Sequence, residues 1–245
     1  STSARLAELA DVEKVLALLK KVEASLSVSE EERGRPARFG TLSSLTFLKS
    51  LENLPRAVAS DLAVDDILFE YRLAAGLLRV WEFREPASGR DVLVLADKSG
   101  SMKSPEEKTV WSRALLLALL KRTLRRGGEF RLRFFDDQPH EALDTRSTPL
   151  LDIVERILRV EAEGGTDITK AMRAAEEDAR GGETIVLVTD GEDRIPEDAP
   201  VVDVAIMVLG HNESLRKHSK HYLSAKLTED EILRVVEYAE ESVPA

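Results

Sequence analysis

The chain contains no cysteine, and aromatic residues make up only 5% of its 245 residues. Without cysteine it can form no disulfide, Cys-ligated zinc site, iron–sulfur cluster or thiol nucleophile, and its composition fits a reducing compartment. Because aromatic side chains are so scarce, we expect Trp81, Trp111 and the phenylalanines to pack in the core. A stacking platform is the less favoured use of these rings.

An excess of positive charge is also missing, since 45 acidic residues outnumber 35 basic residues and the net charge is −10. A chain-wide basic footprint for nucleic acid is therefore absent. The longest apolar run, Ala114–Leu120, is far shorter than the ~18 residues that a membrane span requires. The segment Ser1–Leu26 is charged throughout and does not resemble a signal peptide. We therefore expect a cytoplasmic protein with no membrane span and no nucleic-acid partner.

Common catalytic motifs are absent as well. The chain has no GxxxxGK(S/T) loop for ATP and no GxSxG nucleophile elbow. Position 99 is Ser, where a DxD-type phosphotransferase carries its second Asp. The sequence suggests no histidine close enough to activate Ser99 or Ser101 as a nucleophile. We expect no enzymatic activity.

The first part of the chain shows helical periodicity. Leu6–Leu26 has apolar residues at three- and four-residue steps, which predicts an amphipathic helix packed against its own chain, with a partner helix as the alternative. Thr41–Asn53 and Asp65–Phe83 are further helical candidates. We therefore predict a helical N-terminal region over residues 1–85. The stripe of the first helix comprises Leu9, Val12, Leu16, Leu19, Val22 and Leu26.

From residue 86 onward, runs of strand type alternate with helical segments. The predicted strands are Asp91–Asp97, Phe130–Phe135, Thr184–Thr189 and Val201–Leu209. Between and after them come predicted helices at Glu106–Arg126, Leu150–Val160, Asp167–Arg180 and Thr228–Ser242. This alternation predicts an α/β fold with a doubly wound, mostly parallel sheet over residues 86–245. Continuous Val, Ile and Leu runs indicate strands covered by helices on both faces.

Oxygen-bearing side chains follow the predicted strands where such sheets bind ligands, beyond the carboxyl ends. These side chains are Asp97, Ser99 and Ser101 after one strand, Thr166 in a Gly-Gly-Thr-Asp segment, and Asp190 after another strand. Carboxylate and hydroxyl oxygens suit Mg2+, and neutral hydroxyls would leave the ion open to a further anionic oxygen. The alternative for the first three is a turn with a helix cap, and an N-cap role is favoured for Asp167.

The five residues resemble the metal-ion-dependent adhesion site of von Willebrand factor A domains. The resemblance rests on Asp-x-Ser-x-Ser at positions 97–101, a Gly-Thr loop and an Asp that closes another strand, and it covers about residues 90–243. It implies that the serines and the threonine ligate the metal, that the aspartates act largely through water, and that a partner's acidic residue completes the shell. Mg2+ is expected, with Mn2+ and Ca2+ as alternatives. Lys98 is an unusual neighbour whose charge is expected near the ion.

A narrower resemblance is to the CoxE-like and ViaA-like proteins that act with MoxR-type AAA+ ATPases. It rests on the segment Gly40–Phe83, which resembles the helical region before the domain in those proteins, while the sequences DKSGSM, GGTD and TDG resemble bacterial and archaeal intracellular members of the family. It implies a metal-dependent protein-binding module in chaperone-like remodelling or maturation of protein complexes, with a MoxR-type ATPase or its client as partner. Two alternatives stay open: an accessory subunit of a chelatase-like AAA+ machine, and a metal-independent structural scaffold.

Overall fold

The computed structural model describes residues 11–25, 36–37, 41–48, 51–84, 89–191 and 193–241. These residues form two compact units, each with most of its contacts within itself. The larger unit contains residues 11–25 and 89–241, and the smaller unit contains residues 36–84. None of the described helices combines the length and the apolar character that a membrane crossing requires.

A six-stranded, mostly parallel sheet forms the centre of the larger unit, in the order β6-β5-β4-β7-β8-β9. The β5–β6 pair at one edge is antiparallel, and the other pairs are parallel. This topology confirms the predicted α/β class. The strands are β4 (Val92–Asp97), β5 (Phe130–Phe135), β6 (Leu143–Asp144), β7 (Thr184–Thr189), β8 (Val202–Val208) and β9 (Ser219–Ala225).

Helices cover both faces of this sheet, as the apolar strands require. Successive side chains of β4 enter opposite cores: Val92, Val94 and Ala96 lie in one cluster, and Leu93 and Leu95 lie in the other. The helices are α4 (Glu106–Arg125), α5 (Leu150–Arg159), α6 (Ile168–Asp178), α7 (Glu213–Lys217) and α8 (Glu229–Glu241).

Residues 11–25 form the helix α1, which packs into the larger unit and not as a separate region. Val15 and Val22 are fully buried in the core cluster that also contains α4 and α8 residues. Intramolecular packing of this helix is thereby confirmed. The buried face differs from the predicted stripe, since Leu16 is 42% exposed and Val15 takes its place. The predicted ends, Leu6–Ala10 and Leu26, lie outside the described residues.

The smaller unit is built on an antiparallel sheet, so the prediction of a purely helical region over residues 1–85 is wrong there. Its strands β1 (Pro36–Ala37), β2 (Thr41–Phe47) and β3 (Arg79–Arg84) pair in the order β1-β3-β2. The predicted helix Thr41–Asn53 is instead β2 followed by a 3-10 helix at Leu51–Arg56. A bulge between Leu42 and Ser44 adds a residue to β2, which makes its apolar spacing resemble that of a helix.

Two α-helices of the smaller unit, α2 (Ala59–Leu62) and α3 (Asp66–Ala74), lie between β2 and β3. The predicted helix Asp65–Phe83 is correct over α3, where the Asp65 side chain caps the helix by accepting from the Leu68 amide. It ends early because Gly76 adopts a φ of 65°, a left-handed conformation that stops helices. The chain then enters β3.

Asp61 connects three elements of the smaller unit. Its side chain is 1% exposed, accepts from the backbone amide and guanidinium of Arg79 in β3, and pairs with Arg72 of α3. The hydrogen bonds from Arg79 lower the pKa of Asp61 to about 2. Because the folded pKa is depressed, the pair stabilises the fold above pH ~4 and is lost as pH falls toward the folded value.

We expect Asp61→Asn to destabilise this unit at neutral pH, because it leaves the guanidiniums of Arg72 and Arg79 without their shared carboxylate. Hydrogen exchange of the β2 and β3 amides should rise about tenfold or more at pH 7. The difference from the wild type should shrink as pH falls from about 4 to about 2. Glu70→Gln on exposed α3 surface is the control, and equal exchange in both variants would contradict the role of Asp61.

Candidate metal centre

Three loops meet at the carboxyl edge of the sheet. β4 and β7 are parallel neighbours, so Asp97 at the end of β4 lies beside the end of β7, which Asp190 follows. The loop that carries Thr166 joins them, since the Gly100 amide donates to the Gly164 carbonyl at 3.0 Å. The fold thus brings the predicted segments together.

Hydroxyls link the two aspartates in one hydrogen-bond network. The Ser99 and Ser101 hydroxyl oxygens are 3.0 Å apart, and Ser101 Oγ donates to Asp190 Oδ1 at 2.7 Å. Asp97 Oδ1 accepts from the Ser99 amide at 2.7 Å, and Asp97 Oδ2 accepts from the Thr189 hydroxyl at 2.6 Å. Ser99 is buried and Ser101 is exposed. The network therefore runs from the core to the surface.

Asp97 is held in a buried position by neutral donors. Burial raises the pKa of its carboxyl group, the hydrogen bonds from Thr189 and Ser99 act against this, and the charge of nearby Asp190 raises it further. A buried carboxylate without a cation of its own is costly in free energy. A positive charge placed between Asp97 and Asp190 would relieve that cost.

Thr166 lies against the Asp190 loop. A Cβ atom built on Gly191 would come within 2.8 Å of Thr166 Cγ2, so the backbone of Gly191 packs directly on this side chain. Thr166 is half-buried, and within the described part of the chain its hydroxyl forms no hydrogen bond, unlike those of Ser99 and Ser101. The hydroxyl oxygen of Thr166 is therefore available to bind a ligand.

Lys98 does not direct its charge at the aspartates of the site. Its ammonium pairs with Asp136 Oδ2 at 2.9 Å, and His140 Nε2 lies 2.8 Å from the same oxygen. Burial acts to raise the pKa of Asp136, but the hydrogen bonds from Lys98, the Gln138 amide and His140 together hold it well below its usual value. The expected charge near the ion is thus committed to a neighbouring ion pair.

The alternative helix-cap interpretation fits Asp167 and not the serines. Asp167 accepts from the Lys170 amide at 2.9 Å and caps α6, which confirms its predicted N-cap role. Ser99 precedes a short 3-10 helix (Gly100–Lys103), but its side chain does not cap that helix. Its hydroxyl points instead to the Ser101 hydroxyl.

Lys108 is a site residue that the sequence interpretation missed. It lies in the first turn of α4, and its ammonium is 2.6 Å from Asp190 Oδ2 and 3.3 Å from the Ser101 carbonyl oxygen. A cation in the first turn interacts unfavourably with the helix dipole. This unfavourable placement was the feature of the sequence that could have indicated a role for Lys108 outside the helix. Asp190 is thus bound by an ammonium on one oxygen and a hydroxyl on the other.

The residues present suit a hard divalent cation. Two carboxylates and three hydroxyls are oxygen donors of the kind that Mg2+ and Mn2+ accept, and the ammonium of Lys108 already lies against one of them. Within the described ranges, no group of three or more His, Cys, Asp or Glu side chains could hold a metal. A metal at this edge would therefore depend on the hydroxyls.

Comparison with protein families finds one match. Residues 92–192 match the family described as von Willebrand factor type A domain. This part of the chain is therefore similar to a von Willebrand factor type A domain, and all five predicted site residues fall inside the matched range. The match covers less than half of the chain. No curated protein matches the chain in sequence.

Several solved structures resemble this one. A von Willebrand factor type A protein from Catenulispora acidiphila is 15% identical over 66% of this chain and 43% of its own, with a TM-score of 0.49. BatB from Bacteroides thetaiotaomicron is 15% identical over 63% of this chain and 98% of its own, with a TM-score of 0.45. Proximal thread matrix protein 1 from the mussel byssus, with a zinc-occupied MIDAS motif, is 17% identical over 63% of this chain and 46% of its own, with a TM-score of 0.41.

This chain spans less than half the length of the Catenulispora and mussel proteins. Their TM-scores, all under 0.5, are too low to support an inference about its function. The likeness to a von Willebrand factor type A domain rests on the family match over residues 92–192.

Proposed function

We propose that the chain is a divalent-metal-dependent protein-binding module whose partner supplies a carboxylate to the metal. The observation that carries this proposal is the hydrogen-bonded set of Ser99, Ser101 and Asp190, next to a Gly191 backbone that packs on the Thr166 side chain. A von Willebrand factor type A domain is a protein-interaction module, which agrees with a binding role.

In this proposal the residues divide into two groups. Ser99, Ser101 and Thr166 ligate the metal, while Asp97 and Asp190 balance its charge largely through water, as the family resemblance implies. Neutral ligands leave the ion electron-poor, which favours an added anionic oxygen. The exposure of Ser101 leaves that side of the site accessible to a partner. Mg2+ is the proposed ion, with Mn2+ and Ca2+ as alternatives.

A binding role also agrees better with the hydrogen bonding than a catalytic role does. Both oxygens of Asp97 accept from fixed donors, and both oxygens of Asp190 are bonded to Ser101 and Lys108. Neither carboxylate is therefore free to act as a general base. We propose that the chain has no enzymatic activity of its own.

We propose a MoxR-type AAA+ ATPase or its client as the partner. Support comes from the resemblance of the segment Gly40–Phe83 to the region before the domain in proteins that act with such ATPases, and from DKSGSM, GGTD and TDG motifs that resemble those of intracellular members of the family. The segment before the domain gives less support than its sequence suggested, because Thr41–Phe47 and Arg79–Arg84 are strands.

Thr166→Val tests the metal site with little effect on the fold. Valine keeps the shape of threonine and removes a hydroxyl that forms no hydrogen bond among the described residues, so the melting temperature without metal should change little. The affinity for Mg2+ or Mn2+, measured by isothermal titration, should fall about 10- to 100-fold. Thr169→Val, the same chemical change three residues further on in α6, is the matched control and should bind as the wild type does.

Partner binding is tested by affinity purification from the native organism with and without EDTA. Under the proposal a MoxR-type ATPase or its client co-purifies with the wild type and with Thr169→Val, and is lost with EDTA or with Thr166→Val. Retention of the same partners under all four conditions would instead support the metal-independent scaffold. Absence of metal binding in the wild-type titration would overturn the proposed function itself.

A further inference from the structure

The ion pair between Lys108 and Asp190 lies inside the candidate metal centre. The Lys108 side chain is 13% exposed and the Asp190 side chain 2%. Its ammonium also lies 3.3 Å from the carbonyl oxygen of Ser101. Lys108 therefore places a fixed positive charge within the group of oxygens that would surround a metal.

The local helix gives no reason for a lysine at this position. Lys108 follows Glu106 and Glu107 in the first turn of α4, where acidic residues are stabilising and a cation is unfavourable. Burying the ammonium adds a desolvation cost, which its contact with Asp190 offsets. The placement is explained by the site and not by the helix.

The two aspartates are not equivalent in their surroundings. Among the described residues Asp97 accepts from the neutral donors of Ser99 and Thr189, whereas Asp190 is bonded to an ammonium. The neighbouring Lys98 pairs with Asp136 instead. In the described part of the chain, Lys108 is thus the cation that contacts Asp190, and Asp97 has no such partner.

The charges of these side chains have a direct consequence for a divalent ion. Asp97 and Asp190 carry two negative charges, which a divalent cation alone would cancel. With Lys108 in place, the same cation leaves the site with one net positive charge, which a carboxylate from outside would neutralise. Lys108 also competes for Asp190 Oδ2. Lys108 therefore lowers the affinity of the site for the metal, and it raises the affinity of the metal-bound site for an anion.

We propose that Lys108 is a built-in cation that keeps the intrinsic metal affinity of the site low and couples metal loading to an acidic partner. The proposal rests on the proposed function and names the regulation of that same site. Coupling is reciprocal, so a partner carboxylate tightens metal binding by the factor by which the metal tightens partner binding. The lysine makes that factor larger.

Isothermal titration with Mg2+ tests the first half of the proposal. Lys108→Met removes the charge and keeps most of the side-chain volume, and it should tighten Mg2+ binding on the order of tenfold. Lys108→Gln, which can still donate a hydrogen bond to Asp190, should tighten it similarly. Lys108→Arg, which keeps the charge, should stay within about twofold of the wild type. Lys103→Met should also stay within about twofold of the wild type, because it removes the same charge from an exposed residue of the neighbouring 3-10 helix.

Repeating the titration with the peptide acetyl-Gly-Glu-Gly-amide at saturating concentration tests the second half. The peptide should tighten Mg2+ binding to the wild type several-fold more than binding to Lys108→Met. A peptide with Gln in place of Glu should have no effect on either protein. Equal tightening of the two proteins by the Glu peptide would overturn the coupling.

The outcomes separate this proposal from the proposed function. If the wild type binds Mg2+ and both neutral variants, folded by circular dichroism, bind it no more tightly, the role of Lys108 is wrong and the metal site stands. If neither the wild type nor any variant binds Mg2+ or Mn2+, the proposed function is wrong. If Lys108→Met does not fold, the comparison of Lys108→Gln with Lys108→Arg decides the question.

Discussion

Asp97→Asn is expected to weaken divalent-metal binding by about 100-fold or more and at the same time to raise the melting temperature of the metal-free protein. The first effect follows because the variant removes one of the two negative charges that would balance the ion. The second follows because burial makes the Asp97 carboxylate costly, as its raised pKa shows. Asparagine can still accept from the Ser99 amide, so the loop should keep its shape.

The pH dependence of this stability gain follows from the direction in which the pKa of Asp97 is shifted. A raised folded pKa means that protonated Asp97 is favoured in the fold, so its stabilising contribution is complete below pH ~4 and is lost as pH rises through the folded pKa. The stability gain from Asp97→Asn should therefore be larger at pH 7 than at pH 4. Thermal unfolding in EDTA measures this, with Glu141→Gln in the exposed loop before β6 as the control. A melting temperature that falls in Asp97→Asn would contradict the cost assigned to this carboxylate.

Gly191→Ala is expected to damage the metal centre without replacing any proposed ligand. The added Cβ would lie 2.8 Å from Thr166 Cγ2 and 3.2 Å from Thr189 Oγ1, closer than such atoms pack. Thr166 must then move away from the Asp190 loop, and Thr189 is the residue whose hydroxyl bonds Asp97. Because metal ligation tolerates little displacement, we expect the metal affinity to fall by about 10- to 100-fold.

Gly165→Ala offers a matched control in the loop that carries Thr166. A Cβ atom there would meet only Asp137 Cβ at 3.7 Å, which is an ordinary contact. It should bind metal as the wild type does, in the same titration. The prediction for Gly191 fails if both glycine variants bind metal equally well. Crystal structures of both variants would show whether Thr166 has moved.

Some features of the molecule could be predicted from local sequence alone. The runs VLVLAD and TIVLVT could be predicted as buried strands because they are short, apolar and rich in β-branched residues, and the structure places them side by side. Since parallel neighbours end at one edge, residues directly after these strands must approach each other. Asp97 and Asp190 were predictable for that reason. Thr166 does not follow one of these strands, and its prediction depended on the Gly-Gly-Thr-Asp segment and on the family resemblance.

The strands that were missed have mixed or irregular patterns. β9 (Ser219–Ala225) is the edge strand of the sheet and alternates exposed and buried residues weakly, so it lacks the apolar signal of β7 and β8. The sequence of β2 predicts a helix because its bulge disturbs the two-residue period of a strand. In both cases pairing with a neighbouring strand determines the conformation more strongly than local preference does.

The sequence by itself determined the α/β class, the principal strands and the oxygen-rich loops, since these depend on periodicity and on residues next to one another in the chain. Only the tertiary structure decided which groups contact the aspartates of those loops. Lys108 bonds Asp190 across 82 residues, and Thr189 bonds Asp97 across 92. Such contacts have no local pattern, because they arise where α4 and two parallel strands converge. The metal centre was visible in the sequence, but the cation placed against it was not.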